Sequence, residues 1–461
     1  MRRFYLPPFR FWLTSFFLSL FAFPLPAITA EQDSTLGRLV SGETLEDFFY
    51  AAINFSPRLN IARETLNIMQ ARREIAQAQL FPQINANANL TDNNRNSFTQ
   101  FGDPIVDEFT GERLSMSVQQ VLFDWRAFSA RRRADQTENQ AEAEYYDELS
   151  LLLTDVADRY LSVLFAQDSI RSINSEIDAV TNQLNQIQSL FSLQLTQITD
   201  LRQAEASIAK VQAEQLRLRA ELAIARERLR AITGIEIGNL YVLSAETPLP
   251  KAQSDILFWV DMAKSNNKQI SAKRFALQAA KESISETRGA YMPRVNLFAT
   301  RQESNVGFDN RFLGDTDNTF IGVDVTIPLY AGGANKAREN EAKALRNIAE
   351  SELRQTELDT DTNVRSAFLQ VQSSVLLNEA AERLVVSSRL SSDAAQEGFE
   401  LGTVNTVDVL NTLRDQFQAE RDLQKARYEQ INFLLQLKRE AGSLTADDLE
   451  EISNMMVKPD S

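Results

Sequence analysis

The sequence predicts a mixed α and β membrane protein, built as a duplicated unit of two strands and two very long helices, with too few strands in one chain to close a barrel. Three observations carry that reading. The chain echoes itself at a spacing of about 210 residues. Strand-like alternation occurs in two pairs, and each pair is followed by a long stretch without Pro or Gly, from Arg126 to Gln194 and from Ala334 to Glu397. Beyond its N-terminal region, no part of the chain is long and apolar enough for a transmembrane helix, so a membrane-spanning part has to be made of strands.

Composition narrows the chemistry. The 461 residues include no Cys and no His, which removes imidazole metal sites, thiol and imidazole catalysis and disulfide staples. The 63 acidic residues outweigh 48 basic ones, and a formal charge of −15 offers nucleic acid no basic face. With 15 Gly and 12 Pro, the chain favours long helices over loops. Carboxylates are plentiful, but none form a catalytic constellation, so neither enzyme activity, cofactor nor metal is expected.

The N-terminus reads as a secretory signal over residues 1–30: Arg2, Arg3 and Arg10, an apolar run from Phe11 to Phe23, then Ile28-Thr29-Ala30 ahead of Glu31. The apolar run falls short of the ~20 residues of a spanning helix. With no Cys, the mature N-terminus has no acceptor for a lipid anchor.

Residues 31–235 form the first repeat, with strands about 81–93 and 112–124 and helices about 126–194 and 198–233. Residues 236–461 form the second, with strands about 292–304 and 318–330 and helices about 334–400 and 405–441. In the strands Gln83, Asn85, Asn87 and Asn89 oppose Ile84, Ala86, Ala88 and Leu90, while Leu114, Met116 and Val118 alternate with Ser115, Ser117 and Gln119. In the second copy Arg294, Asn296 and Thr300 oppose Val295, Leu297 and Ala299, and Gly322, Asp324 and Thr326 oppose Ile321, Val323, Val325 and Ile327. Such segments suit a tilted barrel, apolar outside and wet inside. Asn85, Asn87, Arg294, Asn296 and Asp324 are therefore candidates for the lumen wall. Phe81, Phe123, Trp125, Tyr291 and Tyr330 sit at the helix-proximal strand ends, as an interfacial girdle would, or as packing at a barrel–helix junction would.

A single-chain barrel needs at least ~8 strands, and an open edge cannot persist in hydrocarbon. Two, three or four copies would all satisfy that requirement. Polar segments from Thr91 to Gly111 and Gln302 to Asp317 read as extracellular loops. In the returning helix, Leu201, Ala204, Ile208, Val211, Gln215, Leu218, Leu222, Ala225, Leu229 and Ile232 follow three-four spacing, the seam of a coiled coil. Arg131-Arg132-Arg133, about two turns past the barrel, reads either as a headgroup contact or as a solvated helix face.

Several motifs, duplicated and in order, carry a resemblance: Gln120-Val121-Leu122-Phe123-Asp124-Trp125-Arg126, Pro328-Leu329-Tyr330-Ala331-Gly332-Gly333, and Gly402-Thr403-Val404-Asn405-Thr406-Val407-Asp408-Val409-Leu410-Asn411 with Ala426-Arg427-Tyr428. Across nearly the whole mature length the chain resembles the TolC family of outer membrane efflux proteins. The resemblance implies a homotrimer: a twelve-stranded transmembrane β-barrel with four strands per chain, continued by a long periplasmic α-helical coiled-coil barrel, with an internal two-fold repeat. It also implies an equatorial belt, assigned to Glu43–Leu59, Ser254–Lys273 and the acidic tail after Gly442. Its partners would be outer-membrane lipid, a periplasmic adaptor (membrane fusion protein) and an inner-membrane transporter of RND or ABC type, with no nucleic acid.

The family closes its duct at the helix turns. Asp200 and Asp408 occupy equivalent places there, so a trimer would carry six carboxylates near the mouth; the same residues also suit a helix first turn. Phe399, Val404 and Asn411 complete the gate candidates, standing where familiar members carry Tyr, Arg and Asp, which argues against an Arg-centred closed state. Leu195, Thr196, Gly402 and Thr403 are the candidates for adaptor docking. The function implied is a passive exit duct for efflux or type I secretion. The alternative from another class is a non-conducting, periplasm-spanning structural or adhesive rod.

Overall fold

The computed structural model describes residues 43–98, 101–102, 104–244, 247–253, 255–307 and 312–458. The leader expected at 1–30 and the belt residue Ser254 lie outside them. The chain runs α1 (Leu45–Phe55), α2 (Pro57–Ala78), β1 (Gln83–Phe98), β2 (Pro104–Phe123), α3 (Trp125–Ser192), α4 (Ile198–Thr233), β3 (Val242–Leu243), α5 (Ile256–Asn266), α6 (Lys268–Arg288), β4 (Arg294–Val306), β5 (Phe312–Thr326), α7 (Ala334–Glu400), α8 (Thr406–Glu440), α9 (Ala446–Asn454) and β6 (Met456–Val457).

The main sheet has the order β1-β2-β4-β5, antiparallel throughout, and its outer edges on β1 and β5 are open. Pro82 and Pro293, which have no N–H to give a ladder, stand just before β1 and β4. At the same end β5 stops at Thr326, ahead of Pro328, rather than running to 330 as the alternation suggests. A larger difference lies at the far end. The segments read as loops are mostly strand: β1 continues to Phe98, β2 begins at Pro104, β4 reaches Val306 and β5 starts at Phe312. Asp92 to Ser97 pair in unbroken register with Thr110 to Ile105. Polarity there marks a hairpin with water on both faces, where alternation no longer reports burial.

Helix α3 has 68 residues and α7 has 67, each roughly 100 Å at 1.5 Å per residue. Their partners are half as long. Near the barrel α3 packs on α2 and α6, and α6 packs on α7; further down α3 packs on α4 and α8, and α7 on α8. The seam positions expected in α4 are all buried or half-buried. In α3 the inward seam is Ala166, Ser169, Ile173, Glu176, Val180, Gln183 and Ile187, with apolar and polar residues in alternate columns of the heptad, all buried.

The main core sits partway along the long helices. Leu45, Phe48, Ala52 and Leu59 from α1 and the start of α2 pack on Val156, Tyr160 and Leu164 of α3, with Ile431 and Leu435 of α8 and Leu449 and Ile452 of α9. The Tyr160 hydroxyl donates to the carbonyls of Glu43 and Tyr241, and β3 pairs with β6, so the C-terminal segment is tied into the same belt. A second cluster sets Trp259, Val260 and Ala263 of α5 against Val364, Phe368 and Val371 of α7.

Both long hairpins turn in the same way. After α3, Leu195 N donates to Leu190 O and Gln194 N to Phe191 O; after α7, Thr403 N donates to Gly398 O and Gly402 N to Phe399 O. These are Schellman endings, which place one residue in the left-handed region. Gly402 fills that place in the second copy at φ +74°, while Gln194 fills it in the first at φ +64°, the only non-Gly residue with positive φ among the described residues. A side chain there costs about 1 kcal/mol. Gln194→Gly is therefore expected to raise local stability by about that amount and Gly402→Gln to lower it similarly, read as opposite changes in amide hydrogen-exchange protection of the two turns.

Candidate functional site

The register sorts every strand position onto one of two faces, because directly opposed residues of an antiparallel ladder share a side. Asn85, Ser117, Thr300 and Phe320 form one row; Asn87, Ser115, Gln302 and Asn318 form the next. Asn296 stands opposite Asp324, and Arg294 opposite Thr326, on that same side. The five lumen candidates thus share one face. The opposite face carries Ile84, Ala86 and Ala88 on β1, Val118, Met116 and Leu114 on β2, Leu297 and Ala299 on β4, and Ile321, Val323 and Val325 on β5. That apolar band ends outward in charge: Arg301 binds Asp317 and Glu303, each at 3.0 Å, and Glu112 stands opposite Leu90.

The band's inner limit is aromatic. Phe81, Tyr291 and Tyr330 are exposed at the helix-proximal end, while Trp125 Nε1 donates to Ser285 Oγ of α6 at 3.1 Å. Of the three consecutive arginines, Arg132 binds Glu282 at 2.9 Å and Arg133 binds Glu286 at 2.8 Å, and Arg132 also lies over the Trp125 ring. These two brace α3 against α6 rather than forming a free solvated face, because Glu282 and Glu286 stand one turn apart on the α6 face that meets them.

At the opposite end lie the helix turns. Asp200 Oδ2 accepts from Thr196 Oγ1 at 2.6 Å and from the backbone N–H of Gln197; Asp408 Oδ2 accepts from Asn405 Nδ2 at 2.8 Å, and Asn405 Oδ1 caps Asp408 N–H. The Asp200 carboxylate takes up a backbone N–H at its helix start, whereas at the second turn Asn405 is the cap and Asp408 holds its side-chain amide. Phe399 packs between the apolar clusters of the two coiled coils, and Val404 lies over Gly398, where an added Cβ would meet Val404 Cγ2 at 2.6 Å. Asn411 lines a cavity of about 710 Å³ between α3, α4 and α8. The turns expose apolar side chains, Leu193 and Leu195 in the first copy and Leu401 in the second, whereas Thr403 Oγ1 donates back to Gly398 O.

Two features escaped the sequence reading. Glu176 of α3 binds Arg421 of α8 at 2.7 Å, with side chains 3% and 11% exposed. Burial raises the Glu176 pKa while Arg421 opposes the shift. The signal was a charge at a seam position, between Ile173 and Val180. Higher up, the Tyr428 hydroxyl donates to Asp168 Oδ2 at 2.6 Å, and burial raises the Asp168 pKa against the lowering effect of that bond and of Arg171. No group of metal-binding side chains occurs among the described residues.

One third of a barrel wall with open edges, continued by two helical hairpins, is the architecture on which comparison with known proteins bears. The family model described as "Outer membrane efflux protein" matches residues 49–235 and 259–443, one match for each copy of the repeat. The chain belongs to that family. It is 27% identical to outer membrane protein TolC of Vibrio cholerae, over 93% of this chain and 97% of TolC. It is 24% identical to the alkaline protease secretion protein AprF of Pseudomonas aeruginosa, over 89% and 86%. The crystal structure of CusC, reported for its folding and transmembrane channel formation, superposes with a TM-score of 0.75 at 17% identity, covering 87% of this chain and 92% of CusC. Members are homotrimeric outer-membrane channels that work with adaptors and inner-membrane transporters; the family is a channel-forming factor, not an enzyme class. The outer membrane efflux protein described here accordingly supplies four of a barrel's twelve strands.

The raised Asp168 pKa has a measurable sign. Its ionised form is less favoured in the fold than in the unfolded chain, so this group's contribution to stability is lost as pH rises through the elevated pKa. Asp168→Asn keeps an acceptor for Tyr428 without the buried charge. Its melting temperature is expected to match or exceed that of the parent at pH 8, with the gap closing as pH falls to 5.

Proposed function

We propose that the trimer is the passive exit duct of a tripartite efflux or type I secretion system, taking cargo from a periplasmic adaptor and an RND or ABC transporter. The observation that carries the reading is the sheet itself. It pairs a polar face with an apolar face inside one four-stranded wall, and leaves both edges open. Closing those edges with further copies turns the Asn-rich face inward onto water and the aliphatic face outward onto lipid. A poreless rod would leave that polar face without water. Likeness to TolC and to AprF, a protein named for protease secretion, supports both kinds of cargo equally.

The mouth lies at the turns around Phe191–Leu201 and Phe399–Val409, where exposed Leu193, Leu195 and Leu401 form the docking surface for the adaptor. Asp200 and Asp408 line the mouth, Asp200 while capping its helix and Asp408 while holding the capping Asn405. Phe399 and Val404 hold each protomer's hairpins together through apolar packing, so closure there depends on apolar contact rather than on an arginine.

Purified trimer in planar lipid bilayers is expected to give discrete single-channel steps; a sealed rod gives none. Converting Asp200 and Asp408 together to Asn keeps their acceptor oxygens but removes six charges from the trimer. The ratio of cation to anion permeability, from the reversal potential in a salt gradient, is expected to fall severalfold. An unchanged ratio assigns both residues to bracing the helix starts alone.

A further inference from the structure

Phe298 and Phe320 stand out on the lumen wall because they are aromatic on a predominantly polar face whose neighbouring rows are built mainly from Asn, Gln, Ser and Thr. Phe298 lies over Gly322, its Cζ 2.7 Å from the point a Cβ would occupy, so the ring fills the space a side chain would take. Phe320 follows on the same face, edge-on to Phe298 with centroids 6.3 Å apart and planes at 71°. Phe298 alone covers Gly322. Phe320 is 49% exposed in the single protomer.

We propose that Phe298 and Phe320 form a subsite on the duct wall that takes up uncharged aromatic groups of passing cargo. The proposal rests on the reading of the Asn85 face as the lumen. Its chemistry follows from the surroundings. The rows that hold the two rings, Gln83–Gln119–Phe298–Gly322 and Asn85–Ser117–Thr300–Phe320, contain no formal charge, and neither does the next row outward. Charge returns only beyond them, at Arg113 on one side and Asp324 on the other. A charged ring would shed water there without meeting a counter-charge. A neutral ring can stack on the open side of Phe320 while Thr300, Ser117 and Asn85 meet its polar rim. Three such pairs do not seal the duct: side chains just fill a barrel of ~8 strands, and twelve enclose a wider lumen. The pair therefore retards aromatic cargo without blocking flow.

The test is single-channel recording of the full-length trimer with N-acetyltryptophanamide as a neutral aromatic probe and N-acetylleucinamide as its aliphatic counterpart. The aromatic probe is expected to cause brief current blocks, and Phe320→Ser to shorten their mean duration about fivefold. Phe320→Tyr should retain them. Phe320→Leu, which keeps most of the apolar volume, should behave like Phe320→Ser. Equal block durations in parent and Phe320→Ser, or equal block by the aliphatic probe, overturn the subsite. Asn87→Cys treated with a charged, membrane-impermeant thiol reagent separates the two layers of the argument. A conductance drop upholds the lumen face whatever the probe does, and no drop removes the lumen reading and the subsite with it.

Discussion

The fold depends on one unmet requirement: backbone groups at the edges of a sheet in hydrocarbon have no water to bond. β1 presents a free edge of 16 residues and β5 one of 15, so in the membrane neither can stand alone. The same incompleteness continues down the helices. On one flank α2 exposes Ile61, Ile68 and Ile75 at seven-residue intervals, and α4 exposes Leu216 and Ile224; on the other, α7 exposes Leu345, Ile348, Leu376, Leu384 and Leu390. Each flank is a half-seam. Assembly therefore satisfies backbone hydrogen bonds in the barrel and apolar burial in the tunnel by a single rotation, and one cyclic arrangement closes both.

Within a protomer, the seam of α3 gives up stability for definition. Ala166, Ile173, Val180 and Ile187 alternate with Ser169, Glu176 and Gln183. An all-aliphatic seam would bury more apolar area, but helices of this length can slide by a heptad and still match. Glu176 meets its guanidinium partner Arg421 in one register only. A shift would leave both charges buried and unpaired, at a cost of ~3–5 kcal/mol. Gln183 Nε2 is buried without a partner, so the alternative to Glu176 at these positions is not free either.

What could be read in the sequence was whatever obeys a period. The 3.5-residue seam of α4 and the two-residue alternation of β4 and β5 report which side is buried, and burial is what these elements repeat. The polar ends of the hairpins were misread because beyond the bilayer neither face is dry, so Asp92–Ser97 look like loop while pairing as strand. Phe298 and Phe320 were missed for the opposite reason. They break the alternation by placing aromatics at wet-side positions, and the register sets the two beside each other there. Long-range pairings within the chain, such as Glu176 with Arg421 or Arg132 with Glu282, link residues more than a hundred positions apart, which no local period encodes.

Duplication has not left the two halves equivalent where it matters for partners. The turns share their backbone geometry, yet the left-handed site is Gly402 in one and Gln194 in the other. The next residues are Thr403 and Val404 in one copy but Leu195 and Thr196 in the other. Thr196 is committed to Asp200, and Val404 to the surface of Gly398, while Leu195 stands 70% exposed. Around a trimer these turns therefore alternate between two kinds, one with a strained residue in the left-handed site, the other glycine-based. A partner that reads this rim meets three-fold chemistry on a nearly six-fold frame, because side chains have diverged where the backbone has not.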